Sequence, residues 1–341
     1  MAVETAGQRW PDFFVVGAPK AGTTALNAAL AQHPQLYLSP VKEPKYFLCD
    51  ERPPPRGQHR GPGDAHSRKE WIWRRSQYLA LFDDAPTLTL RGESTPFYLY
   101  ERAAHDRIER VAPKARLIAV LRDPVDRAYS NWMHLRSDGL ETDPDFLSAL
   151  HREPERIRAG YAPFWHYQGL GRYAEQLRHL YRYFPPEQVH VLRYRDLVDT
   201  PAQALSQVWS FLGVEPVSTQ AAPRENVKPF VPASRRNDAL RRVIRVGASV
   251  GQIPHPATWR RAESALLQRL YAGGTIRPQL PPEQRLAAVE LFADDIRELG
   301  ALLGRSFDDW LGASGRGSFE ARVKARTEPA TPAPATTPDD A

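Results

Sequence analysis

Cysteine is nearly absent from this 341-residue sequence: Cys49 stands alone. One thiol excludes an intrachain disulfide framework, and a cysteine-based zinc site would need several. Long apolar runs are missing as well. The longest, Phe13–Ala18 and Leu117–Leu121, fall far short of the ~18 residues that span a bilayer. The first ten residues, MAVETAGQRW, lack the basic start and apolar stretch of a secretory leader. The expectation is a soluble, cytoplasmic chain with no integral membrane segment. Nor does either charge dominate, since 46 basic and 40 acidic side chains leave a net +6. That balance favours anionic partners. The basic residues are spread along the chain except at Arg235–Arg245, which argues against a dedicated nucleic-acid module. At 42% hydrophobic and 25% charged the composition is globular, and the length suits two domains or one α/β domain with insertions.

What is present is an alternation of short apolar runs with amphipathic stretches. Phe13–Gly17 and Leu117–Leu121 read as buried parallel strands. Thr87–Leu90 reads as a further strand, ending at Gly92-Glu93-Ser94-Thr95-Pro96, and Val189–Arg193 as another. Helical spacing is expected over Ala25–Ala31, Trp71–Phe82, Arg107–Val111, Pro124 to about Arg136, Tyr173–Tyr183 and Pro201–Leu212. Asp123 suits an N-cap and Pro124 the first helical position. His33-Pro34 reads as a helix stop. Such alternation predicts an α/β fold with a parallel sheet covered on both faces. The last third, from about Ser234, reads as mainly helical (Arg235–Val246, Ser264–Tyr271, Pro282–Leu303). A Pro/Arg/Gly-rich surface excursion is expected at about 50–68, and Thr327–Ala341, built only of Thr, Pro, Ala, Glu and Asp, reads as a disordered tail.

Two strand ends carry the chemistry. Gly17-Ala18-Pro19-Lys20-Ala21-Gly22-Thr23-Thr24 joins the first strand to the first helix. A loop of this kind aims backbone N–H groups inward, and the helix dipole adds positive charge, giving a site for phosphate-type anions. Its glycines have Walker A spacing, but the residue after the second glycine is Thr23 and the lysine, Lys20, lies inside the loop. The LIAVL strand ends in Arg122, where a P-loop nucleoside triphosphatase would place a Mg²⁺-organising aspartate. A guanidinium there grips an anion by bidentate hydrogen bonds. Ser130 lies about 9 Å further along the helix from Pro124, within range to share that anion. The plainer alternative pairs Arg122 with Asp126 and leaves Ser130 on a helix surface.

These segments resemble the PAPS-dependent sulfotransferases, most closely the bacterial and heparan-sulfate branches. PKAGTT is similar to that family's 5′-phosphosulfate loop, and LRDPVDRAYSNW to its 3′-phosphate motif. The similarity extends through LYLSPVKEPKYF, GESTPFYLY, YAEQLRHLYRYFPPEQVHVLRYRDL and GRSFDDWL, about residues 12–311. The resemblance implies a P-loop-type domain around a mostly parallel five-stranded sheet flanked by helices, with a helical C-terminal third. It implies an N-terminal extension at 1–11, a sulfotransferase domain at 12–312 and a flexible tail at 313–341. It also implies 3′-phosphoadenosine 5′-phosphosulfate as donor, adenosine 3′,5′-bisphosphate as product, no metal, and a carbohydrate, glycolipid or secondary-metabolite acceptor. Carried over by position, Lys20, Ala21, Gly22, Thr23 and Thr24 bind the phosphosulfate, and Lys20 also stabilises the leaving group. Arg122 and Ser130 bind the 3′-phosphate. Glu43, in Lys42-Glu43-Pro44-Lys45, is the general base, with Glu93 and then His134 in reserve. Ser94 departs from the pattern, because much of the heparan-sulfate branch has lysine there. Asn226–Lys228 and Arg235–Arg236 are candidates for a loop over the adenosine phosphate. Tyr161, Phe164, Trp165, His166 and Tyr167 are read first as core and secondly as an acceptor pocket. A P-loop kinase or nucleoside triphosphatase, and a nucleic-acid-binding protein using Arg235–Arg245, are the alternatives.

Overall fold

A computed structural model describes residues 10–53, 61, 71–217, 231, 234, 236–240, 242–243, 265–272 and 278–313. Most of the expected N-terminal extension, most of the excursion at 50–68, the tail beyond 313 and the segment Asn226–Lys228 lie outside these residues, as does Arg235. Five strands form one sheet in the order β2-β3-β1-β4-β5, with every pairing parallel. They are β1 (Phe13–Gly17), β2 (Leu36–Leu38), β3 (Leu90–Ser94), β4 (Arg116–Leu121) and β5 (Val189–Arg193). β1 lies at the centre, and all five of its residues are buried. This is why its apolar run is continuous rather than alternating, for helices cover both faces of a parallel sheet.

The helices include α1 (Thr23–Leu30), α2 (Arg75–Leu79), α3 (Arg102–Val111), α4 (Pro124–Ser137), α5 (Phe146–His151), α6 (Glu153–Arg158), α7 (Tyr173–Leu180), α8 (Tyr194–Asp199), α9 (Pro201–Leu212), α10 (Pro282–Glu290) and α11 (Ala293–Leu303), and the described residues 236–240, 242–243 and 265–271 of the C-terminal third are helical as expected. α4 starts as its sequence predicts. The Asp123 carboxylate accepts from the backbone N–H of Val125 at 2.9 Å and of Asp126 at 3.1 Å, and Pro124 opens the helix. His33 also stops α1 as expected. Its Nδ1 accepts from the Gln35 N–H at 3.1 Å, Nε2 bonds the Glu215 carbonyl at 2.9 Å, and the ring packs on Trp209.

Three element readings are corrected. The expected strand Thr87–Leu90 begins where it was to end, at Leu90, because the strand's own sequence is LRGES rather than an apolar run. Gly92 is needed there, since a side chain would meet the Phe13 ring on neighbouring β1. β2 is only three residues long and gives no periodic signal. The helix expected over Trp71–Phe82 narrows to α2 plus a 3₁₀ turn at Ala80–Phe82, and Pro282–Leu303 divides into α10 and α11 where Phe292 turns into the core beside Gly171.

β3 carries one carboxyl group into the interior. Glu93 is wholly buried, and burial pushes it from the ordinary 4.5 up to about 8, with the Tyr98, Tyr78 and Thr95 hydroxyls acting in the opposite direction. The folded chain holds this proton over a range in which the unfolded chain has lost it. Glu93 therefore contributes a stability that is whole below about 4.5 and declines as pH rises through about 8. Glu93→Gln is uncharged at every pH. Its melting temperature should fall less than that of the unmodified protein between pH 5 and pH 8.5, by ~2–4 °C for each kcal/mol relieved. Parallel melting curves for the two proteins across that window would show that Glu93 titrates elsewhere.

Candidate active site

Because β3, β1 and β4 run parallel and adjacent, their C-terminal ends open onto one edge of the sheet. This is where open α/β sheets place their ligands. The loop after β1 leads into α1 through Gly22, which sits at φ +87 as the N-cap. No side chain caps α1, and no acidic residue lies in its first turn. Its first amides therefore keep the positive end of the dipole for an anion. Gly22 cannot be replaced freely, since a Cβ would approach the Tyr194 ring to 2.7 Å as well as facing the positive φ. Lys20, in the middle of the loop, also has a left-handed backbone, at φ +67. Glu43 and Lys45 share this conformation at φ +62 and +63. Such geometry costs about 1–3 kcal/mol per residue and concentrates at functional sites.

Arg122 extends from the end of β4 and joins the loop directly. Its guanidinium donates to the Lys20 carbonyl at 3.2 Å and stacks 4.9 Å from the centre of the Tyr194 ring. The Tyr173 hydroxyl donates to the Arg122 carbonyl at 2.8 Å, fixing the backbone on the other side. Ser130 lies on the second turn of α4 and is buried. The plainer sequence reading of Arg122 needed Asp126, and Asp126 is bound by Arg285 of α10 at 2.7 Å.

Glu43 reaches the same edge from the loop after β2. Its backbone N–H donates to the Ser94 carbonyl at the end of β3, at 3.0 Å. Lys42 then ties it to the anion loop: its ammonium donates to Thr24 Oγ1 at 2.8 Å and pairs with Glu43 Oε1 at 3.1 Å. At 5% exposure Glu43 is no surface carboxylate. Ser94 is buried beside it, with no hydrogen-bond partner for its hydroxyl among the described residues. Lys45 brings a buried cation into the same corner, its ammonium 5.2 Å from the Trp71 ring centre and its backbone N–H toward Thr95 Oγ1.

The reserve bases fare differently. Glu93 is sealed in the core. His134 packs edge-on against Phe164 with Nε2 at 3.4 Å from Asp138, an arrangement of helix packing. Phe164, Trp165 and Tyr167 are buried and belong to the main core, as their first reading held. Sequence reasoning passed over Tyr194, Tyr173, Lys42 and Arg285. Only Tyr194 offered a signal, since it directly follows a parallel strand and so falls on the ligand-bearing edge. Among the described residues no group of three or more His, Cys, Asp or Glu is placed to hold a metal ion, and no helix is long and apolar enough to cross a membrane.

Comparison with known proteins identifies the family. A family model described as "Sulfotransferase family" matches residues 11–218. Human heparan sulfate glucosamine 3-O-sulfotransferase 6 is 31% identical over 269 residues, covering 77% of this chain and 68% of that protein. Mouse bifunctional heparan sulfate N-deacetylase/N-sulfotransferase 3 is 33% identical over 222 residues, and the match spans only 23% of that larger protein. The crystal structure of a sulfotransferase from Alicyclobacillus acidocaldarius superposes with a TM-score of 0.68 at 29% identity, covering 89% of this chain and 99% of that one. With a family model over more than half of its length and a relative 31% identical across 77% of it, the chain belongs to the sulfotransferase family.

Proposed function

We propose that the chain transfers a sulfuryl group from 3′-phosphoadenosine 5′-phosphosulfate to a hydroxyl or amine of a carbohydrate, glycolipid or secondary-metabolite acceptor. The observation that carries this reading is the joining of three segments at one sheet edge. Arg122 bonds the Lys20 carbonyl, and Lys42 bridges Thr24 to Glu43. A donor with a phosphosulfate at one end and a 3′-phosphate at the other needs two anion sites held at a fixed separation. The α1 loop (Lys20, Ala21, Gly22, Thr23, Thr24) and the Arg122/Ser130 pair supply them. The relatives named for heparan sulfate favour a carbohydrate acceptor. The catalytic unit is taken as residues 12–312.

The transfer needs little covalent participation by the protein. As in phosphoryl transfer, positioning and charge stabilisation do most of the work. The acceptor oxygen or nitrogen forms a bond to sulfur as the bond from sulfur to the bridging oxygen breaks. Lys20 is assigned to the charge growing on that oxygen as the bisphosphate leaves. Glu43 takes the acceptor's proton, and its ion pair with Lys42 orients the carboxylate toward the loop. Gly22, backed by the Tyr194 ring, keeps the loop open to the donor. A P-loop kinase would require Mg²⁺, and turnover here is expected to persist in excess chelator. Magnesium-dependent transfer from ATP would favour the kinase instead.

Adenosine 3′,5′-bisphosphate should bind about 10- to 100-fold more tightly than AMP, as charge-assisted hydrogen bonds to the 3′-phosphate would give. Arg122→Ala should remove most of that difference in a calorimetric titration. Equal affinity of the unmodified protein for both nucleotides would take away the basis of the donor assignment.

A second pair of variants separates base from donor ligand. Glu43→Gln should lower turnover by about 10²–10⁴ while bisphosphate affinity stays within a few-fold. Lys20→Ala should lose both turnover and donor affinity. Near-normal turnover in Glu43→Gln at saturating acceptor would place the base elsewhere.

A further inference from the structure

The turn that presents Arg122 has an electrostatic problem. Arg122 is followed at once by Asp123 and, one helical turn on, by Asp126. Two carboxylates thus share the β4–α4 corner with the one guanidinium assigned to an anionic ligand. Left uncompensated, they would repel the phosphate that Arg122 is to hold. Asp123 cannot turn out to water, because its Oδ1 caps α4 through Val125 and Asp126 and the residue is buried.

Arg285, from α10 more than 150 residues later in the chain, meets both carboxylates. Nη2 pairs with Asp123 Oδ2, Nη1 with Asp126 Oδ1 at 2.7 Å, and Nε donates to the Gly312 carbonyl at 3.1 Å. Every nitrogen of the guanidinium is therefore engaged, and the side chain is only 5% exposed. A lone exposed ion pair would mean little. This one is forked across the cap of the helix that carries Ser130, with Arg285 and Asp123 buried and Asp126 partly exposed.

We propose that Arg285 is a positioning residue for the 3′-phosphate site, cancelling the two carboxylates beside Arg122 and locking the first turn of α4. This inference rests on the donor reading above. It makes the C-terminal helices part of nucleotide selectivity, although they lie outside the stretch 11–218 that matches the family model. A filler of space would serve stability alone. A charge-cancelling residue must alter the preference between two nucleotides that differ only in the 3′-phosphate.

The test compares adenosine 3′,5′-bisphosphate with AMP on the unmodified chain, Arg285→Ala and Arg285→Lys. Exposing the negative charge of the corner beside Arg122, in a partly screened site, supports a fall of about tenfold in the bisphosphate preference for Arg285→Ala. AMP affinity should stay within about twofold, since the charge change acts on a group AMP lacks. Lysine keeps the charge but not the fork, so Arg285→Lys should keep more of the preference than alanine. It also carries the comparison if the alanine variant fails to fold, and should then fall measurably below the unmodified chain. Adding Asp126→Asn to Arg285→Ala removes one surplus negative charge and should restore part of the preference. A preference present in the unmodified chain and unchanged in the Arg285 variants overturns the inference alone, as does an equal fall for both nucleotides tracking a loss of melting temperature. No preference in the unmodified chain overturns the donor reading together with this inference.

Discussion

The parallel pairing of β1 with β3 on one side and β4 on the other is the constraint on which the site depends. Register places Phe13 opposite both Gly92 and Arg116. The three strands then point their C-terminal ends to one edge of the sheet, and the segments that follow them leave from that edge. The anion loop follows β1, Ser94 and Thr95 close β3, and Arg122 follows β4. None of these segments touches another through local sequence. The Phe13 ring lies over Gly92, and a side chain at 92 would have to displace it.

Polar side chains then tie the segments into one unit. The Arg122 guanidinium bonds a carbonyl of the anion loop, Tyr173 bonds the Arg122 carbonyl, and Tyr194 packs against both Arg122 and Gly22. Lys42 does the equivalent work on the other side, between Thr24 and Glu43. The left-handed backbones of Lys20 and Glu43 belong to this network, since conformations of that kind persist only where surrounding contacts hold them. Such stiffness suits the proposed donor, whose two anionic ends would need binding points at a fixed separation.

Membership of the sulfotransferase family accounts for the common core of this chain, and the relatives extend beyond it by different amounts. The chain spans about two thirds of one heparan sulfate relative and under a quarter of another. The family model matches residues 11–218, which hold the whole sheet and the α1 loop. α10 follows that stretch in the chain. Through Arg285 it reaches back to the first turn of α4, so a late helix conditions an early motif.

Some of this was present in the sequence by itself. A continuous apolar strand followed by a glycine-bounded loop specifies the turn into a helix whose first amides lack a side-chain cap, and LIAVL followed by Arg-Asp-Pro specifies a strand, a cap and a helix start. These are local rules, satisfied within about a dozen residues, so the elements around Lys20 and Arg122 could be read directly. β3 could not be placed correctly, because a strand buried between two neighbours carries Gly92, Glu93 and Ser94 for reasons that lie on β1 and in the core. The burial of Glu43, its link through Lys42 to Thr24, the sealing of Glu93 and the pairing of Arg285 with Asp123 and Asp126 are likewise long-range facts. Each depends on which strand lies beside which and on where a distant helix docks. Only the tertiary structure decides those, because burial and ion pairing are properties of neighbours in space.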